Sequence, residues 1–296
     1  MINIKSKLII TILIILVILS SVIILISRSK NKDAFNEQRT FDDLEYQVGL
    51  GPRTIGSDAH EIVANWITST LLKQNWEVEI QQTTSSDVAI KNIIAKKGSG
   101  GPWIIIASHY DTRLLADKDS TFEGRKQPVV GANDGASSVA VLLELARVIP
   151  ENTNKQIWLV FFDAEDNGGI LGYDWALGSQ YFVSMLKDKP DSVVILDMIG
   201  DKDLDIYMEK NSDPELNQQI WGVASGLGYS QFIATYKYEL IDDHVPFVQV
   251  GIRAADIIDF DYPYWHTTHD TIDKVSADSL NVVGETILNW LLLSPE

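Results

Sequence analysis

Three runs in this chain, Trp103 to Ser108, Ile157 to Phe162 and Val193 to Leu196, are apolar at nearly every consecutive position. A strand with one face in water alternates apolar and polar residues; a continuous run belongs to a strand covered on both faces. Helical stretches at Gly135 to Ile149 and Gln180 to Leu186 separate the runs, so strand and helix alternate along this part of the chain. Such alternation builds a parallel sheet between helices. Upstream, Trp76 to Gln82 alternates Val78 and Ile80 with polar neighbours. A second short strand, Asn92 to Lys96, ends at the turn-rich Lys97-Gly-Ser-Gly-Gly-Pro. Further strands are expected at Leu204 to Met208 and Ala254 to Ile258, with helices at His60 to Gln74, Pro214 to Gly226 and Ser276 to Leu293. The expected fold class is α/β: a mixed, mostly parallel twisted sheet sandwiched by helices.

The ends of those runs carry a second pattern. His109 and Asp111 come just after the first, Glu165 and Asp166 just after the second, and Asp197 closes the third. Asp134 opens a helical stretch, and His266 comes after Ile257-Ile258. Sites in open α/β sheets lie at the carboxyl ends of strands, and zinc takes His nitrogen and Asp or Glu oxygen. Metal chemistry is therefore the expected function class. Each residue also has an ordinary explanation: Asp134 before Gly135 could serve as a helix cap, Asp163 as a loop residue or a support behind the ligands, His60 as a helix-face residue and His244 as packing or hydrogen-bonding beside Pro246-Phe247. Asp270, Thr271 and Asp273 read as caps before the last helix.

The segment 1–32 is a separate object. Leu8 to Ile26 is apolar except for Thr11, Ser20 and Ser21, and is flanked by Lys5, Lys7, Arg28, Lys30 and Lys32. At about 1.5 Å per residue it nearly spans a hydrocarbon core of about 30 Å. Ile26-Ser-Arg-Ser-Lys lacks a small-residue cleavage site, so we expect an uncleaved single-pass anchor with an extracytoplasmic domain; a cleaved signal and a secreted protein is the alternative. A polar linker is expected at 33–40 and a catalytic domain at 41–296. Apart from the anchor's flanks, 19 basic residues face 41 acidic ones, which argues against nucleic acid as a partner. Cysteine is absent, which excludes disulfides, thiolate metal sites and a Cys nucleophile.

Six segments occur in order: Ser108-His-Tyr-Asp-Thr, Gly131-Ala-Asn-Asp-Gly-Ala-Ser, Phe161-Phe-Asp-Ala-Glu-Asp, Leu196-Asp-Met-Ile-Gly, Asp242-Asp-His-Val-Pro-Phe and Trp265-His-Thr-Thr-His-Asp-Thr. Together they resemble the zinc aminopeptidase family that also contains the animal-type glutaminyl cyclases, over nearly all of the chain after Thr40. The resemblance implies that Asp134, Asp166 and His266 hold a zinc and that Glu165 is the general acid/base. His109 and Asp197 match the ligands of a second zinc in the aminopeptidases, where Asp134 bridges. Position 166 is more often Glu in that family.

Two chemistries share this scaffold. The aminopeptidases cut the first peptide bond with two zincs; the cyclases use one to convert an N-terminal Gln to pyroglutamate with loss of ammonia. The resemblance tilts to the cyclases at Asp242, which would join Glu165 and Asp197 in a carboxylate network. It does so again at Trp265 and Trp175, which with Phe247 would line the substrate pocket. Ile241 replaces the cyclases' usual Gln, and the ending His266-Thr-Thr-His269-Asp-Thr is peptidase-like. The expected substrates are peptide or protein N-termini. A non-catalytic domain of the same fold would have lost its ligands, and all of them are present.

Overall fold

The computed structural model describes residues 34–85 and 88–293. The expected anchor at 1–32 lies outside the described residues; among these, no helix is long and apolar enough to cross a membrane. Phe35–Glu296 forms one compact unit.

The described elements are helices α1 (Glu37–Gly49), α2 (Asp58–Lys73), α3 (Ala136–Val148), α4 (Leu177–Met185), α5 (Pro214–Leu227), α6 (Val245–Gln249) and α7 (Ala277–Leu293). The strands are β1 (Glu77–Ser85), β2 (Val88–Lys97), β3 (Trp103–His109), β4 (Gln156–Phe162), β5 (Ser192–Asp197), β6 (Ile206–Met208), β7 (Phe232–Tyr236) and β8 (Ala254–Ile258). Six strands form the main sheet in the order β1-β2-β4-β3-β5-β8. Pairing is antiparallel from β1 through β4 and parallel from β4 through β8. The mixed, mostly parallel sheet is thus present, and a small parallel β6–β7 pair stands beside it.

Alternate residues of the apolar runs feed two cores. Ile104, Ile106, Leu159, Phe161, Val194 and Leu196 pack on the face covered by α1, α3 and α7. Ile105, Ala107, Val160, Phe162, Val193 and Ile195 pack on the opposite face with Phe182 of α4 and Phe247 of α6. Helix α3 is buried on almost every side, because α1, α2 and α7 pack around it and the sheet lies beneath it. Its one acid, Glu144, is fully buried and is met by Arg39, by the backbone N–H of Asn36 at 3.0 Å and by Arg147 at 3.2 Å. Those contacts tie α1 to α3.

The fold begins earlier than the sequence suggests. Residues 37–40, expected in a linker, form the first turn of α1, where Asn36 accepts from the Arg39 N–H at 2.9 Å.

Candidate metal centre and active-site cleft

The parallel strands β3, β4 and β5 all end at the same edge of the sheet, and their last residues bring the chemistry together. Asp134, Asp166 and His266 each offer a ligand atom within one small volume, and so do His109, Asp134 and Asp197. Asp134 belongs to both groups. His266 Nε2 lies 2.9 Å from Asp166 Oδ1 and 3.7 Å from Asp134 Oδ2. On the other side, His109 Nε2 lies 3.1 Å from Asp134 Oδ1 and 3.1 Å from Asp197 Oδ1. Gly135 permits this approach: a Cβ there would sit 2.7 Å from the His109 ring.

Backbone conformation singles out the same place. Six non-glycine residues have φ in the left-handed range among the described residues, and four adjoin the cluster. Ala164 precedes Glu165, Ala176 follows Trp175, Met198 follows Asp197, and the fourth is His266 itself at φ 55°. Such conformations persist where surroundings over-determine them, most often at functional sites.

The neighbours of the cluster fix its orientation. Asp111 accepts from the backbone N–H groups of Glu165 (3.1 Å) and Asp166 (3.3 Å), so the strand β3 end holds the strand β4 end. Asp270, read from the sequence as a cap, accepts from the N–H groups of Asn133 at 2.8 Å and Asp134 at 3.1 Å and from the Tyr262 hydroxyl at 2.7 Å. It fixes the loop that presents Asp134.

The two imidazoles sit in different electrostatic settings. Burial pushes His266 down to about 3, so the ring is neutral and has a lone pair free to coordinate. Burial also opposes a charge on His109, but hydrogen bonds to Asp111, Asp134 and Asp197 outweigh it and raise its pKa well above the usual value. Among the acids, burial raises Glu165 strongly, and the charges of Asp242 and Asp166 add to it. Asp197 is raised to about 7 by burial. Asp134 moves the other way, because the His109 hydrogen bond overcomes its burial.

A cleft of about 230 Å³ opens onto this cluster. Its floor carries Asp134, Glu165, Asp166, Asp197, Asp242 and His266; Trp175 and Trp265 form walls, and Ile241 and Phe260 stand nearby. Both indoles stack on the imidazole of His266, Trp265 with ring centroids 3.8 Å apart and Trp175 at 5.9 Å. Phe247 is a correction to the sequence expectation. It does not line the cleft but is fully buried against Phe162 and Phe182, at centroid distances of 6.2 Å and 5.9 Å.

The donor set suits zinc: two carboxylates and a neutral imidazole, with room for substrate. Asp166 Oδ2 and His266 Nδ1 are buried without a hydrogen-bond partner. An unpaired carboxylate oxygen in such a place is costly unless a cation meets it.

Residues 92–291 match the family model of peptidase family M28. The chain belongs to this family. Among solved structures it is similar to the glutaminyl cyclase of Porphyromonas gingivalis, with 31% identity and a TM-score of 0.83, covering 88% of this chain and 98% of that one. It is also similar to a Zn-dependent exopeptidase from Parabacteroides distasonis, with 27% identity and a TM-score of 0.83, covering 88% and 99%. The glutaminyl-peptide cyclotransferase of Drosophila melanogaster is 24% identical over 290 residues, covering 83% of this chain and 79% of that protein.

Beyond the motifs of this M28 chain, the structure gives buried charged partners to residues that the sequence reading left without one. His60 is a buried group bonded to Asp163 at 2.7 Å, not a plain helix-face residue. His244 is fully buried between Glu209, at 3.1 Å, and Asp256, at 3.6 Å. Arg113 is nearly fully buried beside Asp166. Its sequence signal was slight: a lone cation two residues after Asp111, followed by Leu114-Leu115.

Proposed function

We propose that this protein is a glutaminyl-peptide cyclotransferase, converting an N-terminal Gln to pyroglutamate with release of ammonia. The observation that carries the reading is the cleft itself. Two indole walls flank His266, and Glu165, Asp197 and Asp242 stand together on the same floor. An apolar slot beside the metal ligands suits the methylenes of a Gln side chain, and relatives of this fold carry glutaminyl cyclase names.

Asp134, Asp166 and His266 would hold one zinc, which supplies Lewis-acid polarisation of the γ-carbonyl. Trp175 and Trp265 orient the side chain so that the substrate's α-amine faces its own γ-carbon. Glu165 accepts a proton from the amine as the new C–N bond forms. It returns that proton to the amide nitrogen as the old C–N bond breaks and ammonia leaves. One carboxylate suffices because the proton taken and the proton given are equal in number. Burial and the charges of Asp242 and Asp166 favour its holding the proton between the two steps, while a bound zinc would favour the carboxylate that accepts it. Asp242 adds negative charge beside Glu165 and so favours its protonated form.

The second reading, removal of N-terminal residues by hydrolysis, is favoured by the His109–Asp134–Asp197 group, which could hold a second metal. A Gln-initiated peptide given to the purified protein separates the two. Cyclisation yields ammonia and a peptide of unchanged residue count; hydrolysis yields free Gln. Release of free Gln without ammonia would overturn the cyclotransferase reading. For location we propose that 1–32 is a single-pass anchor with the catalytic domain outside the cytoplasm, supported by the Leu8–Ile26 run and its basic flanks. Recovery of the protein in the aqueous rather than the membrane fraction would count against it.

A further inference from the structure

His266 stacks with two indoles, Trp265 and Trp175. Each indole also meets a cation: the guanidinium carbon of Arg113 lies 5.1 Å from the Trp175 ring centroid, and Lys118 Nζ lies 5.7 Å from that of Trp265. Lys118 is an exposed lysine, but Arg113 is buried, with a side chain 2% exposed. Every arm of its guanidinium is engaged. Nε donates to Asp117 Oδ1 at 2.6 Å, Nη1 to the backbone carbonyl of Asp166 at 2.8 Å, and Nη2 to that of Gly168 at 3.1 Å. Nη1 also lies 3.7 Å from Asp166 Oδ1, and the Asp117 carboxylate faces His266 Nδ1 at 3.7 Å.

We infer that Arg113 is a positioning residue that locks the Trp175 wall of the cleft and the metal ligands Asp166 and His266 into one unit. The inference rests on the reading of those residues as pocket wall and zinc ligands. Its physical content is the fork: one planar group reaches two backbone carbonyls, a carboxylate and a ring face together, which an ammonium cannot do. Gly168 completes the seat. A Cβ at that position would lie 2.0 Å from Trp175 Cδ2, so the indole occupies space that only glycine leaves open. The loop from Asp166 to Trp175 is thereby clamped at both ends, by Arg113 on its carbonyls and by the indole lying back on Gly168. A loose clamp would let the substrate wall move away from the metal ligands.

The test compares the full-length wild type with Arg113→Lys, Asp117→Asn and Gly168→Ala. The readouts are KM and kcat on a Gln-initiated peptide and the rate at which zinc passes to a chelator. Gly168→Ala displaces the indole and is expected to raise KM while zinc release stays at the wild-type rate. Asp117→Asn loosens the support of Arg113 and His266 and is expected to speed zinc release. Arg113→Lys keeps the charge but loses the fork, and is expected to do both, by about 10–100-fold, the usual scale for partners that orient a metal ligand. Unchanged KM and zinc release in Arg113→Lys, or a lowered melting temperature alone, would overturn the inference. Should that variant fail to fold, the other two decide: loss of either expected effect overturns it. The wild-type product is a separate result. If the wild type hydrolyses instead of cyclising, the cyclotransferase reading fails, and the same comparison on hydrolysis still decides the role of Arg113.

Discussion

His266 and His109 approach Asp134 from opposite sides, and the protein treats them differently. His266 stacks with two indoles and faces Asp166 at 2.9 Å and Asp134 and Asp117 at 3.7 Å, and burial pushes its pKa down to about 3. Among the described residues no indole stacks on His109; it faces Asp111 at 3.6 Å on one nitrogen and Asp134 and Asp197 at 3.1 Å on the other. Its surroundings favour a proton. Each ring therefore faces three carboxylates; what differs is the stacked indoles at His266 and the closer pair of carboxylates at His109. Identical side chains thus differ in setting on the two sides of Asp134, and substitution decides which side a metal needs.

The sharpest way to break this comparison is to remove each ring. His266→Ala is expected to lose zinc and turnover together, to the limit of detection, since a catalytic zinc keeps only three protein ligands. His109→Ala is expected to retain zinc. Metal analysis of the two purified variants decides, and equal zinc loss from both would make the two sides equivalent.

Next in size is Glu165→Gln, which keeps the shape of the side chain and removes its proton exchange. Turnover should fall by about 10²–10⁴-fold with zinc content unchanged. A parallel loss of zinc would instead make Glu165 a ligand, and the floor of the cleft would need reassignment. Asp270→Asn should be milder. The amide can no longer accept from both the Asn133 and Asp134 N–H groups and the Tyr262 hydroxyl, so Asp134 is held less firmly. Zinc affinity should drop by about 10–100-fold, as read by chelator titration. Because Asp134 is shared, an unchanged affinity would mean that its backbone hold is irrelevant to the His266 side.

These positions were not equally legible in the sequence. His109, Asp134, Asp166, Asp197 and His266 could be read because strands or helices deliver them to one sheet edge and the elements are written in apolar periodicity. Asp270 could not, because the N–H of Asp134 that it holds is 136 positions away. Arg113, Glu209 and Asp256 are similar: an ionisable residue says nothing about burial until the neighbours that satisfy it are known. Most strands were readable for the same reason as the site. Strand β7 was missed because its burial fades from Phe232 to the exposed Tyr236 within five residues. The five-residue α6 is too short to show a helical period. It also explains the misplacement of Phe247, for a one-turn helix after Asp242-Asp243-His244 swings that ring away from the cleft and into the sheet's second core.

The smallest effect on the site is therefore expected at Phe247, and it sharpens the comparison from outside. Its ring closes an aromatic group with Phe162 and Phe182, and Phe162 ends the strand that leads into Glu165 and Asp166. Phe247→Ala should cost about 3–5 kcal/mol of stability through lost burial and a residual cavity, seen as a lower denaturation midpoint. The folded fraction should keep its zinc and its KM, because the groups that hold His266 and Asp134 come from Trp175, Trp265, Asp166 and Asp270, none of which rests in that aromatic group. A raised KM at full zinc content would mean instead that the core behind strand β4 is felt in the cleft, and that the apolar setting of His266 is maintained by more than its two indoles.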